Sequence, residues 1–154
     1  MTAESRVIVC AVDGSTADAA AIDVAAQLAV LADARLALLA VAPVPIDSVG
    51  DQAPPPWTLE DAKRALERTA AAVDDRVGVD CYLDAGNPVR RLVEFAGRTR
   101  PLLVVVGTRA RDPALPPSIG ASGLIRGAPC PVVVVPEAGY VPELDDRRRR
   151  DGPS

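Results

Sequence analysis

Histidine is absent from the 154 residues, lysine occurs once, at Lys63, and the aromatic residues are Trp57, Tyr82, Phe95 and Tyr140 alone. Without histidine there is no Ser-His-Asp or Cys-His nucleophile system, no imidazole-ligated metal and no imidazole proton shuttle. The one lysine lies in a helical run and not in a glycine loop, which leaves no P-loop lysine. Four scattered aromatics make no stacking platform for single-stranded nucleic acid. The formal net charge of −4 and a pI near 4.8 deny the chain the basic surface that duplex binding needs. Arginine clusters at Arg90-Arg91, Arg98 with Arg100, and Arg147–Arg150 are local exceptions. No apolar stretch approaches the ~20 residues of a membrane span. The residues following Met1 lack a basic segment leading into an apolar one, so no signal peptide is read. Cys10, Cys81 and Cys130 form no C-x-x-C pair and read as free thiols in a reducing compartment, with Cys10 and Cys81 in the core and Cys130 used in packing. The expectation is a cytoplasmic protein that binds neither membrane nor nucleic acid and has no metal site.

What is present is an ordinary globular mix, 49% hydrophobic and 25% charged, of a length suited to one domain. Apolar runs alternate with helix-like stretches. Val7–Val12 reads as a strand buried on both faces, closed by Asp13-Gly14-Ser15. An alanine-rich helix follows from Thr16 to Ala34, with Ser15 and Asp18 spaced as a capping box and Val24, Leu28 and Leu31 on one face. Leu36–Val41 is a second strand, and residues 42–57 form a stiff loop rich in proline and glycine. Thr58 and Asp61 are a second capping box, ahead of a helix whose buried stripe is Leu59, Ala62, Leu66, Ala70 and Val73. Gly78–Leu83 is a weaker strand towards an edge. Gly86-Asn87-Pro88 turns the chain, caps and opens a third helix with Val89, Leu92, Val93 and Ala96 inside. Leu102–Val106 is the strongest strand; a short glycine-broken helix over Ser118–Arg126 and the strand Val132–Val135 complete the pattern. The acidic pairs Asp74-Asp75 and Asp145-Asp146 read as solvated, with nothing to shift their titration.

The order β-α-β-α-β-α-β-α-β implies a three-layer α/β/α domain, Rossmann-like, with a five-stranded and mainly parallel sheet over residues 1–136. A disordered charged tail follows over 137–154. Ligands of such sheets bind beyond the carboxyl ends of the strands, where strand order reverses. Asp13-Gly14-Ser15 and Gly107-Thr108-Arg109-Ala110 are the segments that meet there, although Asp13-Gly14-Ser15 also serves as a plain turn and helix cap.

Four pieces now carry a resemblance from about Arg6 to Pro136: Val12-Asp13-Gly14-Ser15, Gly86-Asn87-Pro88, Val104-Val105-Val106-Gly107-Thr108-Arg109 and Ala128-Pro129-Cys130-Pro131-Val132. In this order and spacing the chain resembles the universal stress proteins of the UspA type, single domains of the adenine nucleotide alpha hydrolase-like fold. The resemblance implies an adenine-nucleotide site. Asp13 would hold the ribose or adenine end, Val41 would lie beside the base, and Val106, Gly107, Arg109, Ala110, Gly120 and Ser122 would line the phosphate side. Backbone N–H groups in a glycine loop and a helix N-terminus suit phosphate.

The family's loop follows G-x2-G-x9-G-[ST], and this chain departs from it. Gly107 matches the first glycine, but Ala110 replaces the second. Nine residues on, Gly120 falls in place, followed by Ala121 and then Ser122. Counting back from Ala128-Pro129-Cys130-Pro131 puts Ser118 there instead, and the two registers stay open. Pro113, Pro116 and Pro117 carry no N–H to donate, while Arg109 and Arg111 are either phosphate contacts or solvated loop residues. The expectation is a degraded site that takes ATP weakly or not at all, in a non-enzymatic stress-response module. The alternative is an intact ATP-binding module with slow hydrolysis. Asp13–Asp18 lacks the glycine pair of the S-G-G-x-D-S loop that ATP-activating relatives use. A response-regulator receiver would need an acidic partner next to Asp13 and a lysine after the last strand. Finally, a four-valine edge strand invites pairing, and the resemblance implies a homodimer through Val132–Val135.

Overall fold

The computed structural model describes residues 6–14, 17–42, 58–108 and 119–136. Nine elements follow in order: β1 Val7–Val12, α1 Ala17–Ala32, β2 Arg35–Ala42, α2 Leu59–Ala72, β3 Val79–Ala85, α3 Pro88–Thr99, β4 Leu103–Thr108, α4 Ile119–Gly127 and β5 Val132–Pro136. The five strands lie in the order β3-β2-β1-β4-β5, and every neighbouring pair is parallel. The expected α/β class and strand count are those observed.

The apolar runs form strands because both faces of the sheet are covered. Ile8, Cys10, Val12, Leu36, Leu38 and Val105 pack with α1 and α2 on one side. Val9, Ala37, Leu39, Val104 and Val106 pack with Leu92, Phe95, Ala96 and Leu124 of α3 and α4 on the other. The period-two alternation of strand side chains thus divides each run between two cores. On α1 the buried line is Ala21, Ala25 and Ala29, four residues apart, and their small side chains let the helix lie close to the sheet.

Helix entries follow the local chemistry. The Thr58 hydroxyl accepts the Asp61 N–H at 3.2 Å and the Asp61 carboxylate accepts the Thr58 N–H at 2.9 Å, the capping box the sequence predicts. Asn87 accepts the Arg90 N–H at 3.0 Å, with Pro88 as the first helical residue. Gly86 before them has φ +133°, a region L residues rarely adopt, and a Cβ there would meet Arg91 Nε at 2.8 Å.

Four expectations are corrected. Leu31 is 71% exposed, because it sits two residues, over half a turn, beyond Ala29 on the buried line. Leu59, the first residue of α2, is exposed one turn ahead of Ala62, where burial begins. Cys81 is exposed and not in the core, because β3 is an edge strand with a neighbour on one side only. Asp74 does not titrate as an ordinary solvated acid: its side chain accepts from the Arg76 guanidinium and the Arg76 N–H, which pull it down to about 2. Asp145 and Asp146, with the whole tail 137–154, lie outside the described residues.

Candidate functional site

Chain order reverses between β1 and β4. From β1 the chain runs outward to β2 and β3, then returns through α3 to β4 and β5 on the other side of β1. The β1–β4 ladder runs from Ile8↔Leu103 to Cys10↔Val105, although β1 continues to Val12 and β4 to Thr108. Strand pairing therefore stops short of both carboxyl ends, at the place where a doubly wound sheet opens its crevice.

A turn at Asp13-Gly14 closes the β1 side. Gly14 has φ +77°, which suits glycine. Asp18, in the first turn of α1, reaches back into this turn. Its two carboxyl oxygens each accept the Asp13 N–H at 3.2 Å, and Oδ2 accepts the Gly14 N–H at 2.7 Å. The capping partner foreseen for Asp18, Ser15, lies outside the described residues; the partners observed are Asp13 and Gly14.

The surroundings of Asp18 favour its neutral form. Burial comes first and the negative charge of Asp13 second; with a hydrogen bond between the two carboxyls they outweigh the opposing N–H bonds and push Asp18 up to about 7. Burial, then the Asp18 charge, also pushes the Cys10 thiol well above its ordinary value. Sequence reasoning identified Asp13 and missed the importance of Asp18, which it took for a cap alone. The signal was a second aspartate five residues on, across a glycine turn, at the start of a helix.

The remaining foreseen residues divide. Asp13 follows β1 and Gly107 is the second-last residue of β4, the two strands that flank the reversal. Val41 is half-buried near the carboxyl end of β2, next to β1. The Val106 side chain is buried in the core beneath α3 and α4. Gly120 and Ser122 fall within α4. Arg109 and Ala110, together with Arg111, Ser118 and the three prolines between them, lie outside the described residues. Among the described residues no group of three His, Cys, Asp or Glu side chains could hold a metal ion, and no helix is long and apolar enough to cross a membrane.

Comparison with known proteins gives this crevice a context. The family model for the universal stress protein family matches residues 4–136. A protein of that family from Burkholderia pseudomallei has a TM-score of 0.64 at 26% identity, covering 88% of this chain and 99% of its own. A family protein from Arabidopsis thaliana with AMP bound has a TM-score of 0.63 at 17% identity, covering 87% and 93%. The universal stress protein from Archaeoglobus fulgidus in complex with dAMP has a TM-score of 0.60 at 18% identity, covering 85% and 97%. Curated protein sequences give no match. Sheet order, crevice and motifs agree with a match that spans nearly the whole described chain: it belongs to the universal stress protein family.

Proposed function

We propose that this chain is a non-enzymatic, cytoplasmic stress-response module that takes an adenine nucleotide in the β1/β4 crevice and acts as a homodimer. The carrying observation is that the β1–β4 ladder ends at Cys10↔Val105, with the Asp13-Gly14 turn beyond it on β1's side and Gly107 beyond it on β4. A strand-end carboxylate suits the hydroxyls of a ribose or the amino edge of a base. Solved proteins of the same fold with AMP and dAMP bound support the adenine class. The phosphate side is the degraded part: Pro113, Pro116 and Pro117 offer no N–H, and Ala110 stands where the motif has glycine. We therefore assign AMP as the better ligand and ATP as a weak one.

The dimer reading rests on β5. Among the described strands it stands last in the sheet order, four valines and a proline paired with β4, and Val134 is exposed. Such an edge pairs with another strand unless it is covered.

Calorimetry on the purified protein tests the site. AMP should bind, ATP should bind more weakly, and Asp13→Ala should abolish both. Absence of AMP binding, or AMP binding untouched in Asp13→Ala, overturns the assignment. ATP binding tighter than ~1 μM would show the phosphate loop to be intact.

A further inference from the structure

Among the described strands β3 ends the sheet on the side opposite β5. Its one neighbour there, β2, engages the backbone of every second residue. The Leu36 N–H donates to the Gly78 carbonyl at 2.8 Å, and the Gly86 N–H donates to the Ala42 carbonyl at 2.9 Å. The N–H and C=O of one strand residue point the same way, and those of its neighbours point oppositely. Val79, Cys81 and Leu83 therefore turn their backbone groups outward. Side chains are open here too: Cys81, Tyr82 and Leu83 are consecutive and all exposed. Outward amides beside exposed apolar side chains are a template for another strand.

The side chains decide which strand fits. Gly78, Asp80, Tyr82 and Asp84 alternate onto one face, that of α3, where the Tyr82 ring lies 4.8 Å from Phe95 between centroids. Arg35 lies across Gly78: a Cβ there would stand 2.9 Å from the guanidinium Cζ. Asp80 holds that guanidinium at 2.9 Å. Asp84 accepts the Ala85 N–H at 2.8 Å but has no ion pair among the described residues.

We propose that β3 is a self-association edge, to which a second copy of this chain adds antiparallel with Cys81 opposite Cys81. In this register the outward residues meet in three hydrogen-bonded rungs, Val79 with Leu83 on either side of the Cys81 pair. Tyr82 stands opposite Asp80, a hydroxyl donor facing a carboxylate. Asp84 of each copy stands opposite Gly78 of the other, beside the Arg35 guanidinium, and gains the cation it lacks. Sliding the copies by two residues sets Asp80 against Asp84 one way and Asp80 against itself the other, like charges face to face. The contact is two-fold symmetric and leaves β5 free. Three rungs are little beside the ~1,600 Å² of a stable interface, so the pair forms in concentrated solution and separates on a sizing column.

The experiment is cross-linking of concentrated protein with a short bis-maleimide, for the wild type, Val134→Lys and Asp84→Arg. The two Cys81 residues of a hydrogen-bonded pair stand about 5.5 Å apart at Cα, within the reagent's reach. Wild type and Val134→Lys should both give a dimer linked through Cys81, identified by mass spectrometry. Asp84→Arg should lower its yield roughly tenfold, because each copy then sets a cation against Arg35. Equal yields from wild type and Asp84→Arg overturn the register. No Cys81-linked dimer from the wild type, or its loss in Val134→Lys alone, overturns β3 as a surface in its own right and leaves the nucleotide site untouched. Amide NMR of the wild type needs no variant. The Val79, Cys81 and Leu83 amides should shift between about 50 μM and about 1 mM protein, and amides that stay fixed would overturn the pairing.

Discussion

Gly123 of α4 faces Val89 of α3 so closely that a Cβ on the glycine would stand 3.2 Å from Val89 Cγ1. One turn further, Gly127 meets Val93 in the same way at 3.3 Å. The two glycines, four residues apart, make a smooth strip into which two valines, also four apart, press. We expect Gly123→Leu to force the helices apart and cost ~1–3 kcal/mol. Urea unfolding of wild type and variant measures this, and an unchanged midpoint would show that the helices do not depend on the contact.

Gly97 is the opposite case. It lies exposed within α3, has nothing within 4 Å of a Cβ, and is not among the glycines with positive φ. Gly97→Ala should stabilise the protein by about 0.5–1 kcal/mol, because it removes backbone freedom from the unfolded chain at no steric cost. Gly86→Ala, at φ +133°, should destabilise it. Thermal unfolding of the two variants side by side should move Tm in opposite directions, and equal shifts would contradict the assigned geometry.

The Asp18 carboxyl makes stability depend on pH in a defined sense. Its affinity for a proton is higher in the folded state, so between 3.8 and about 7 the folded chain holds more proton than the unfolded chain. Stability from this group is therefore complete at the acid end and falls as pH rises through the window. For a half-buried pair, screened by solvent, the loss should be about 1–3 kcal/mol between pH 4 and 8. Asp74 acts in the opposite sense: its stabilising pair with Arg76 is present above 3.8 and lost only as pH falls through about 2. Denaturant titrations at a series of pH values, with Asp18→Asn as reference, isolate the Asp18 slope. Parallel curves for the two proteins would rule it out.

Val134→Lys addresses the edge. A charge in the middle of β5 should block strand addition while leaving the β4 ladder intact. Light scattering after size exclusion should give a dimer for the wild type and a monomer for the variant with unchanged circular dichroism. A wild-type monomer would remove the basis for assembly through this strand.

The order of elements was legible because buried parallel strands write themselves as unbroken apolar runs, and Val7–Val12 and Leu36–Val41 could be little else. Turn chemistry was equally direct: Gly86-Asn87-Pro88 and Thr58 with Asp61 do locally what their residue types prescribe. Hydrophobicity marks which residues prefer burial, whereas the angle from a helix's buried line, for Leu31, and the edge of a sheet, for Cys81, decide where cover runs out. Of the site, Asp13 and Gly107 could be placed from strand order alone. The Asp13–Asp18 pairing could not, because it depends on how far α1 sits behind a glycine turn, and no periodicity encodes that distance.

The three cysteines, finally, share one electrostatic direction. Burial raises each thiol: Cys10 in the core, Cys81 with help from Asp80 and Glu67, and Cys130 by burial alone. The attacking form in oxidation and alkylation is the thiolate, and here it is scarce at all three positions. Peroxide and electrophiles thus find poor nucleophiles on this fold, including Cys10, which pairs with Val105 at the last rung of the ladder below the crevice. The strands that frame the crevice therefore present oxidants with no ready thiolate where their pairing ends.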